Sequence, residues 1–240
     1  MPVHLFGQCA DMKGIMAMAA RYRLAVIEDA AQSIGAQQMI DGKWVKSGAI
    51  GTIGCFSFFP SKNLSALGDA GMAVTSSPEL RDRLAMLRGH GAKPKYFHNF
   101  IGLNSRLDEL QAAVLLVKFD YLEALNAKRQ ELFRYYSEQL AGVVTTPVIR
   151  DVNRSVLNQY VIRHPQRDAL VNFLKEHGVA TEIYYPLALH LQKCYAGLGY
   201  GSGDLPNAEQ ASRESLALPI DPLLTPEERG YVVQAVKAFR

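Results

Sequence analysis

The chain has 240 residues, 48% hydrophobic and 20% charged, with a net charge of +3; this is the balance of a soluble globular protein, long enough for one large domain or two small ones. Its basic residues are scattered, so no Lys/Arg block reads as a nucleic-acid surface, and no apolar run has the length to span a bilayer. The N-terminus shows no signal-peptide pattern, and Cys9, Cys55 and Cys194 lie far apart with no CxxC spacing; this fits reduced thiols in a cytoplasmic protein and gives no His/Cys set with metal-ligand spacing.

Strand-like and helix-like stretches alternate along the first half. Residues 3–6 read as a short strand entered directly after Met1. Asp11 caps a helix running through Arg21, with Met12, Ile15, Met16 and Ala19 on one face. LAVIEDA, residues 24–30, reads as a continuous apolar strand ending in two acids, the pattern of a parallel strand buried on both faces. Residues 55–59 and 72–75 read as two further strands. Ser77-Pro78 opens the next helix, with Pro at its first position, and Gly89 ends it. The alternation indicates a parallel α/β sheet.

One long helix, straight or with a bend, is expected from about residue 107 to 140, because Leu107, Leu110, Val114, Val117 and Tyr121 step by three and four and make one apolar stripe. A helix of that kind links domains or builds a subunit interface. Past Gly142, residues 159–163 read as a strand, 166–177 as a helix closed by Gly178, and 179–184 as a second strand. Thr225-Pro226-Glu227-Glu228 is a capping box that starts the last helix. The division expected is a large α/β domain over 1–125 and a small α/β domain over 126–240.

Lys62 stands alone in an apolar, glycine-spaced stretch, CFSFFPSKNLSALGDAG (55–71). Desolvation disfavours the charged amine, and a neutral lysine is a nucleophile whose usual enzymatic use is a Schiff base. A surface lysine on a loop after a strand is the alternative. Asp29 ends a buried strand, at the sheet edge where α/β proteins bind ligands; there it serves either a cationic partner or a helix cap. Ser57, five residues before Lys62, either donates to a phosphate or bonds to nearby backbone.

Three motifs occur in order: EDAAQS (28–33), FSFFPSKNLSALGDAG (56–71) and GLNSRLDELQAA (102–113). With PVHLFGQ at the front, YYPLALHLQ (184–192) and LALPIDPLLTPEE (216–228), the chain resembles the DegT/DnrJ/EryC1/StrS family of pyridoxal-phosphate-dependent sugar aminotransferases from end to end. The resemblance implies an α/β aminotransferase of fold type I: a partial large domain with a mainly parallel sheet, plus the small C-terminal domain. It implies pyridoxal 5′-phosphate as cofactor, with Lys62 as the Schiff-base lysine that also moves the substrate proton. Asp29 is then the partner of the pyridine nitrogen, Gln32 the neighbour of the ring and its 3-hydroxyl, and Ser57 a phosphate ligand. Asn104 is then the residue lent to the phosphate by the other subunit of a homodimer. The implied reaction moves an amino group, from L-glutamate as the expected donor, to a keto group of a nucleotide-linked sugar, in the making of cell-surface polysaccharide or secondary-metabolite sugars.

Two departures from the family pattern stand out. GDAG replaces the usual GDGG, putting Ala70 where glycine is common. Family members also carry a long segment before the PVHLFGQ strand, with an amide-rich phosphate loop and a ring-stacking aromatic, so the resemblance implies an N-terminally truncated chain. The alternatives are a non-catalytic remnant that keeps the fold and dimer surface, and a sugar dehydratase, in which histidine replaces the lysine. Softer candidates are the basic and aromatic stretch with Lys95, Tyr96 and His98, suited to a nucleotide diphosphate or to a solvated loop, and Tyr184 and His190, which line a sugar pocket or pack the core.

Overall fold

The first helix, α1 (Met12–Tyr22), starts where the sequence places it. Asp11 is its N-cap and accepts a hydrogen bond from the Gly14 N–H at 3.3 Å, meeting one of the donors that a helix start leaves unpaired. Met12 and Ala19 are buried with Val26, and Ile15, Met16, Ile40 and Ile50 pack against them. The structure is a computed structural model and describes residues 1–239. The chain divides into two units. The first is Met1–Ala127 with Ile149–Asn158; the second is Lys128–Val148 with the chain from Gln159 onward.

The first unit holds two sheets. One joins β1 (Ile27–Asp29), β4 (Ile53–Ser57) and β5 (Gly71–Val74), and the other joins β2 (Gln37–Ile40), β3 (Lys43–Lys46) and β6 (Asn153–Arg154). β1 and β4 run parallel, pairing Ile27 with Ile53 and Asp29 with Cys55. β5 returns antiparallel to β4, so the sheet is mixed. The reason lies in the turn between them: Phe58 N–H donates to Ala70 O and Ala66 N–H to Phe58 O, both at 2.8 Å. The chain therefore folds straight back, and no crossover helix is needed. The β2–β3 hairpin, absent from the sequence reading, turns at Asp41-Gly42, both with positive φ (47° and 79°), the geometry such two-residue turns favour.

Up to residue 140, three expected elements differ. Residues 3–6 form no strand: Val3 makes a single bridge to Asp29, and Leu5–Gly7 is a 3₁₀ turn. The chain must turn at Gly7, whose φ is +98° and whose added Cβ would sit 2.7 Å from the Leu157 nitrogen. β1 is shorter than residues 24–30 and is not apolar on both faces. Ile27 is exposed, while Glu28 is fully buried because its carboxylate is met by buried donors. The long helix is two, α3 (Glu109–Phe119) and α4 (Leu122–Gln139), separated by a tight turn in which Tyr121 N–H donates to Lys118 O at 3.1 Å. Leu115 and Leu122 are buried with Phe58, Leu64 and Ala66, whereas Leu110, Val117 and Tyr121 of the expected stripe are exposed. Between β5 and α3, α2 (Pro78–Leu87) is capped by Ser77 as expected.

In the second unit β7 (Tyr160–Arg163) pairs antiparallel with β8 (Ser215–Leu218), a strand buried at every residue. α5 (Arg167–Glu176) ends at Gly178, and α6 (Pro206–Glu214) leads into β8. Residues 179–184 form no strand: only Glu182 bridges to Ala217, and the chain then leaves the β8 edge. The Thr225 capping box opens α7 (Pro226–Ala238) with both reciprocal bonds formed. Tyr136, Leu140, Tyr160, Ile162, Leu170, Leu174, Leu216 and Val236 are among the buried side chains of the second unit, the aliphatic ones each contributing about 1.5–3 kcal/mol where fully buried.

Candidate active site

The carboxyl ends of the parallel pair β1–β4 carry the first candidates. Asp29 is pinned at the end of β1: its N–H donates to Pro2 O at 2.9 Å and its carbonyl accepts from His4 N–H at 3.0 Å. One carboxylate oxygen, Oδ1, accepts from the Ala31 N–H at 3.1 Å. The local turn therefore uses one oxygen and leaves Oδ2 as the remaining acceptor. Beneath it, Glu28 accepts from His4 Nε2 and from the backbone N–H groups of Gly48, Ile50 and Gly51. These bonds fasten loop 47–51 against β1. A Cβ on Gly54 would overlap Gly48, so β4 needs glycine where that loop crosses it.

Ser57 is the last residue of β4. Its Oγ accepts from the Phe59 N–H at 3.3 Å, which leaves its O–H as a donor. Lys62 follows in the turn, half-buried, its N–H donating to Phe59 O at 2.9 Å. Burial lowers the pKa of its amine, and the Asp29 carboxylate acts in the opposite sense without cancelling the effect. A partly desolvated lysine within electrostatic reach of a carboxylate, at the carboxyl edge of a parallel pair, is a candidate nucleophilic amine. The floor of the turn is apolar, made by Phe58, Leu64 and Ala66 with Leu115 and Leu122. α3 holds its far side: Gln111 Oε1 accepts from Leu67 N–H at 2.8 Å, and Lys118 Nζ donates to Ser65 Oγ.

Gln32 lies in the loop after β1. Its Oε1 accepts from the Phe6 N–H at 2.6 Å, so the amide nitrogen is the end left to donate outward. The fold thus brings Asp29, Ser57 and Lys62 to one edge, with Gln32 on the adjoining loop. Asn104 is exposed at the base of an excursion spanning residues 89–104, bridged to Gly89, and its Oδ1 accepts from Arg106 Nε at 2.9 Å. Lys95, Tyr96 and His98 lie on that excursion and are exposed. Lys95 sits over the Tyr96 ring at 4.9 Å, and His98 Nδ1 bonds to His90 O at 2.8 Å.

Tyr184 and His190 belong to the second unit. Burial raises the Tyr184 phenol pKa, with Glu182 and Tyr185 adding to it and a Gln159 hydrogen bond opposing. His190 is buried with its Nε2 3.1 Å from Glu209 Oε1. Glu209 also accepts from Gly203 N–H at 2.8 Å and Ser202 Oγ at 3.3 Å. His190 is therefore part of a clamp on the glycine-rich 199–204 loop. Glu28, Gln111 and Lys118 were missed as supports of the edge. Gln111 and Lys118 reach partners 44 and 53 residues away, and no local pattern marks such bonds. An acid inside an apolar strand, as at Glu28, was a signal of a buried polar cluster.

Residues 1–237 match the model of the DegT/DnrJ/EryC1/StrS aminotransferase family. The chain is 50% identical over 242 residues to the pleiotropic regulatory protein of Geobacillus stearothermophilus, covering 99% of this chain and 64% of that protein. It is 44% identical to the UDP-N-acetyl-3-dehydro-alpha-D-glucosamine 3-aminotransferase of Acidithiobacillus ferrooxidans, covering 98% of this chain and 63% of that one. The solved structure of S. venezuelae DesV, in complex with a ketimine intermediate, matches with a TM-score of 0.92 at 40% identity, over 98% of this chain and 63% of that one. The chain thus spans a little under two thirds of the length of these relatives.

Proposed function

Because the chain belongs to the DegT/DnrJ/EryC1/StrS aminotransferase family, we propose that it serves a pyridoxal-phosphate-dependent transfer of an amino group, with L-glutamate as donor, to the keto group of a nucleotide-linked sugar. The observation that carries the reading is Lys62: an amine shifted toward neutrality by burial, within the electrostatic reach of Asp29, just past the carboxyl edge of a parallel strand pair. The residues present suit the cofactor. An acid with one uncommitted oxygen matches a ring nitrogen, a hydroxyl donor on Ser57 matches a phosphate, and a nucleophilic amine matches an aldehyde. Bound there, pyridoxal 5′-phosphate supplies the electron sink for the bond changes at the substrate carbon.

With the cofactor bound, Lys62 would hold it covalently and would carry the proton to and from the substrate carbon. Asp29 would keep the ring nitrogen protonated through its negative charge. Ser57 donates its O–H to the phosphate, and Gln32 presents its amide nitrogen beside the ring. Asn104 donates from Nδ2, because Arg106 occupies its oxygen. It does so to the site of a second copy, and the exposed Leu110, Val117 and Tyr121 support such a homodimer. Lys95, Tyr96 and His98 are offered to the nucleotide diphosphate, and Tyr184 and His190 to the sugar side. Lys62, in place of histidine, favours transamination over dehydration. The first unit, Met1–Ala127 with Ile149–Asn158, serves as a partial cofactor-binding domain and the second unit as the small domain, in a protein acting in the cytoplasm. Among the described residues no helix is long and apolar enough to cross a membrane.

The test is reduction with borohydride in excess pyridoxal phosphate, followed by peptide mass spectrometry and a measurement of 2-oxoglutarate released from L-glutamate before reduction. The expected result is a pyridoxyl adduct on Lys62, lost in Lys62→Ala, and release of the keto acid. Adducts confined to other lysines overturn the reading.

A further inference from the structure

Among the described residues no side-chain hydrogen bond holds the Lys62 amine, so its place depends on the backbone that presents it. The next residue, Asn63, is tied on three sides. Its Nδ2 donates to Asn126 Oδ1 at 2.7 Å and to the Val156 carbonyl at 2.9 Å, and its Oδ1 accepts from Asn158 Nδ2 at 2.9 Å. Both amide hydrogens are used, and the oxygen is engaged. Asn126 and Asn158 are buried, at 7% and 4% exposure. Asn126 Nδ2 reaches on to the Ile34 carbonyl at 3.4 Å, in the loop that carries Gln32. Gly35 leaves room for that amide, since a Cβ there would stand 3.1 Å from it.

The partners have a particular place in the chain. The first unit gives way to the second after Ala127 and again after Asn158. Asn126 and Asn158 are thus the next-to-last and last residues of the first unit at those two crossings. We propose that Asn63 is a positioning residue for Lys62, and that the Asn126–Asn63–Asn158 amide network holds the lysine in its half-buried place from the two points where the chain leaves the first unit. The inference rests on Lys62 being the reactive amine. Burial alone does not account for the arrangement, because an apolar residue at 63 would fill the space without meeting the Val156 carbonyl or the buried Asn158 amide. Removing Asn63 leaves those groups unpaired, and the turn relaxes toward conformations in which water reaches the amine.

The experiment is competitive acetylation of the full chain with acetic anhydride across pH, read lysine by lysine by mass spectrometry, with the borohydride-trapped pyridoxyl yield measured alongside. Native chain, Asn63→Ala, Asn158→Ala and the double variant are compared under conditions where circular dichroism shows all of them folded. In the native chain Lys62 is expected to titrate below the exposed lysines. In Asn63→Ala its midpoint moves up toward theirs, and the trapped yield on Lys62 falls about tenfold, the scale of one or two lost buried hydrogen bonds. Asn158→Ala is expected to move both readouts the same way, and the double variant to add little to Asn63→Ala, since the two residues act through one bond. A Lys62 midpoint and yield unchanged in folded Asn63→Ala overturn the proposal. If that variant does not fold, an unchanged profile in Asn158→Ala overturns it equally. If the native chain traps no adduct on Lys62, the functional reading fails, and the acetylation midpoints alone decide the role of Asn63.

Discussion

His4 and Glu28 meet at 2.8 Å with neither side chain exposed, one residue before Asp29. The Ala10 N–H donates to His4 Nδ1 at 3.1 Å, so the ring hydrogen sits on Nε2 and is donated to Glu28. Three backbone N–H groups complete the shell of that carboxylate. The pair thus joins the segment around Val3, the strand bearing Asp29 and loop 47–51.

Glu28→Gln should therefore be costly, because an amide nitrogen would face groups that are all donors. The expected loss is about 3 kcal/mol or more, as for breaking other buried charged networks. Urea unfolding monitored by circular dichroism measures it, and a loss below about 1 kcal/mol would contradict this account.

Glu28 also predicts a pH dependence. Burial pushes its carboxyl pKa up, but the His4 bond and the N–H groups of Gly51, Gly48 and Ile50 outweigh it and hold the pKa below the usual value. A depressed folded pKa means stability that is present above the unfolded carboxylate value and lost as pH falls through the folded one. The native chain should lose stability on acidification over that window, and Glu28→Gln should lose less. Parallel curves for the two proteins would show that Glu28 does not set the slope.

Lys62→Met keeps the aliphatic stem and removes an amine whose pKa is lowered by burial. The folded chain holds the lysine proton less well than the unfolded chain, so the lysine costs stability below the folded pKa and nothing above the unfolded one. Lys62→Met should unfold at an equal or higher urea concentration near neutral pH, by less than about 1 kcal/mol. The gain should disappear at strongly alkaline pH, while pyridoxyl trapping on this segment is abolished throughout.

Val117 is 64% exposed on the outward face of α3. Val117→Glu should change the stability of the isolated chain by no more than about 0.5 kcal/mol. If α3 builds the homodimer, sedimentation velocity should show a shift from dimer to monomer, because the charge would be desolvated in the interface. An unshifted dimer would place the interface elsewhere.

Thr225 accepts from Glu228 N–H at 3.2 Å, and Glu228 Oε2 accepts from Thr225 N–H at 2.8 Å. α7 presents Val232, Val233, Ala235 and Val236 to the core of the second unit. Thr225→Ala should lower stability by about 1 kcal/mol, and thermal unfolding should shift downward accordingly.

The elements legible in the sequence are those whose causes are local. Asp11, Ser77 and Thr225 each place a side-chain acceptor next to the unpaired donors of a helix start, and Gly178 supplies the positive φ that ends α5. Such signals act within one turn of chain, so neighbouring residues suffice to read them. Lys62, a solitary lysine in an apolar run, and the acid pair at the end of β1 stand out by residue type, but residue type left their roles open and only the family resemblance assigned them. What only the tertiary structure decided depends on partners distant in sequence. Glu28 is buried rather than Ile27 because loop 47–51 and His4 bring donors to it. β5 turns back antiparallel because Phe58 and Ala70 meet, and the expected helix stripe at Leu110 and Val117 faces outward because Leu115 and Leu122 fit against Phe58 and Leu64. Asn63 could equally be a surface turn residue until Asn126, Val156 and Asn158 are placed around it. A hydrogen bond costs the same to satisfy whether its partner is three residues away or 95, but only the nearby partner leaves a mark in the local sequence.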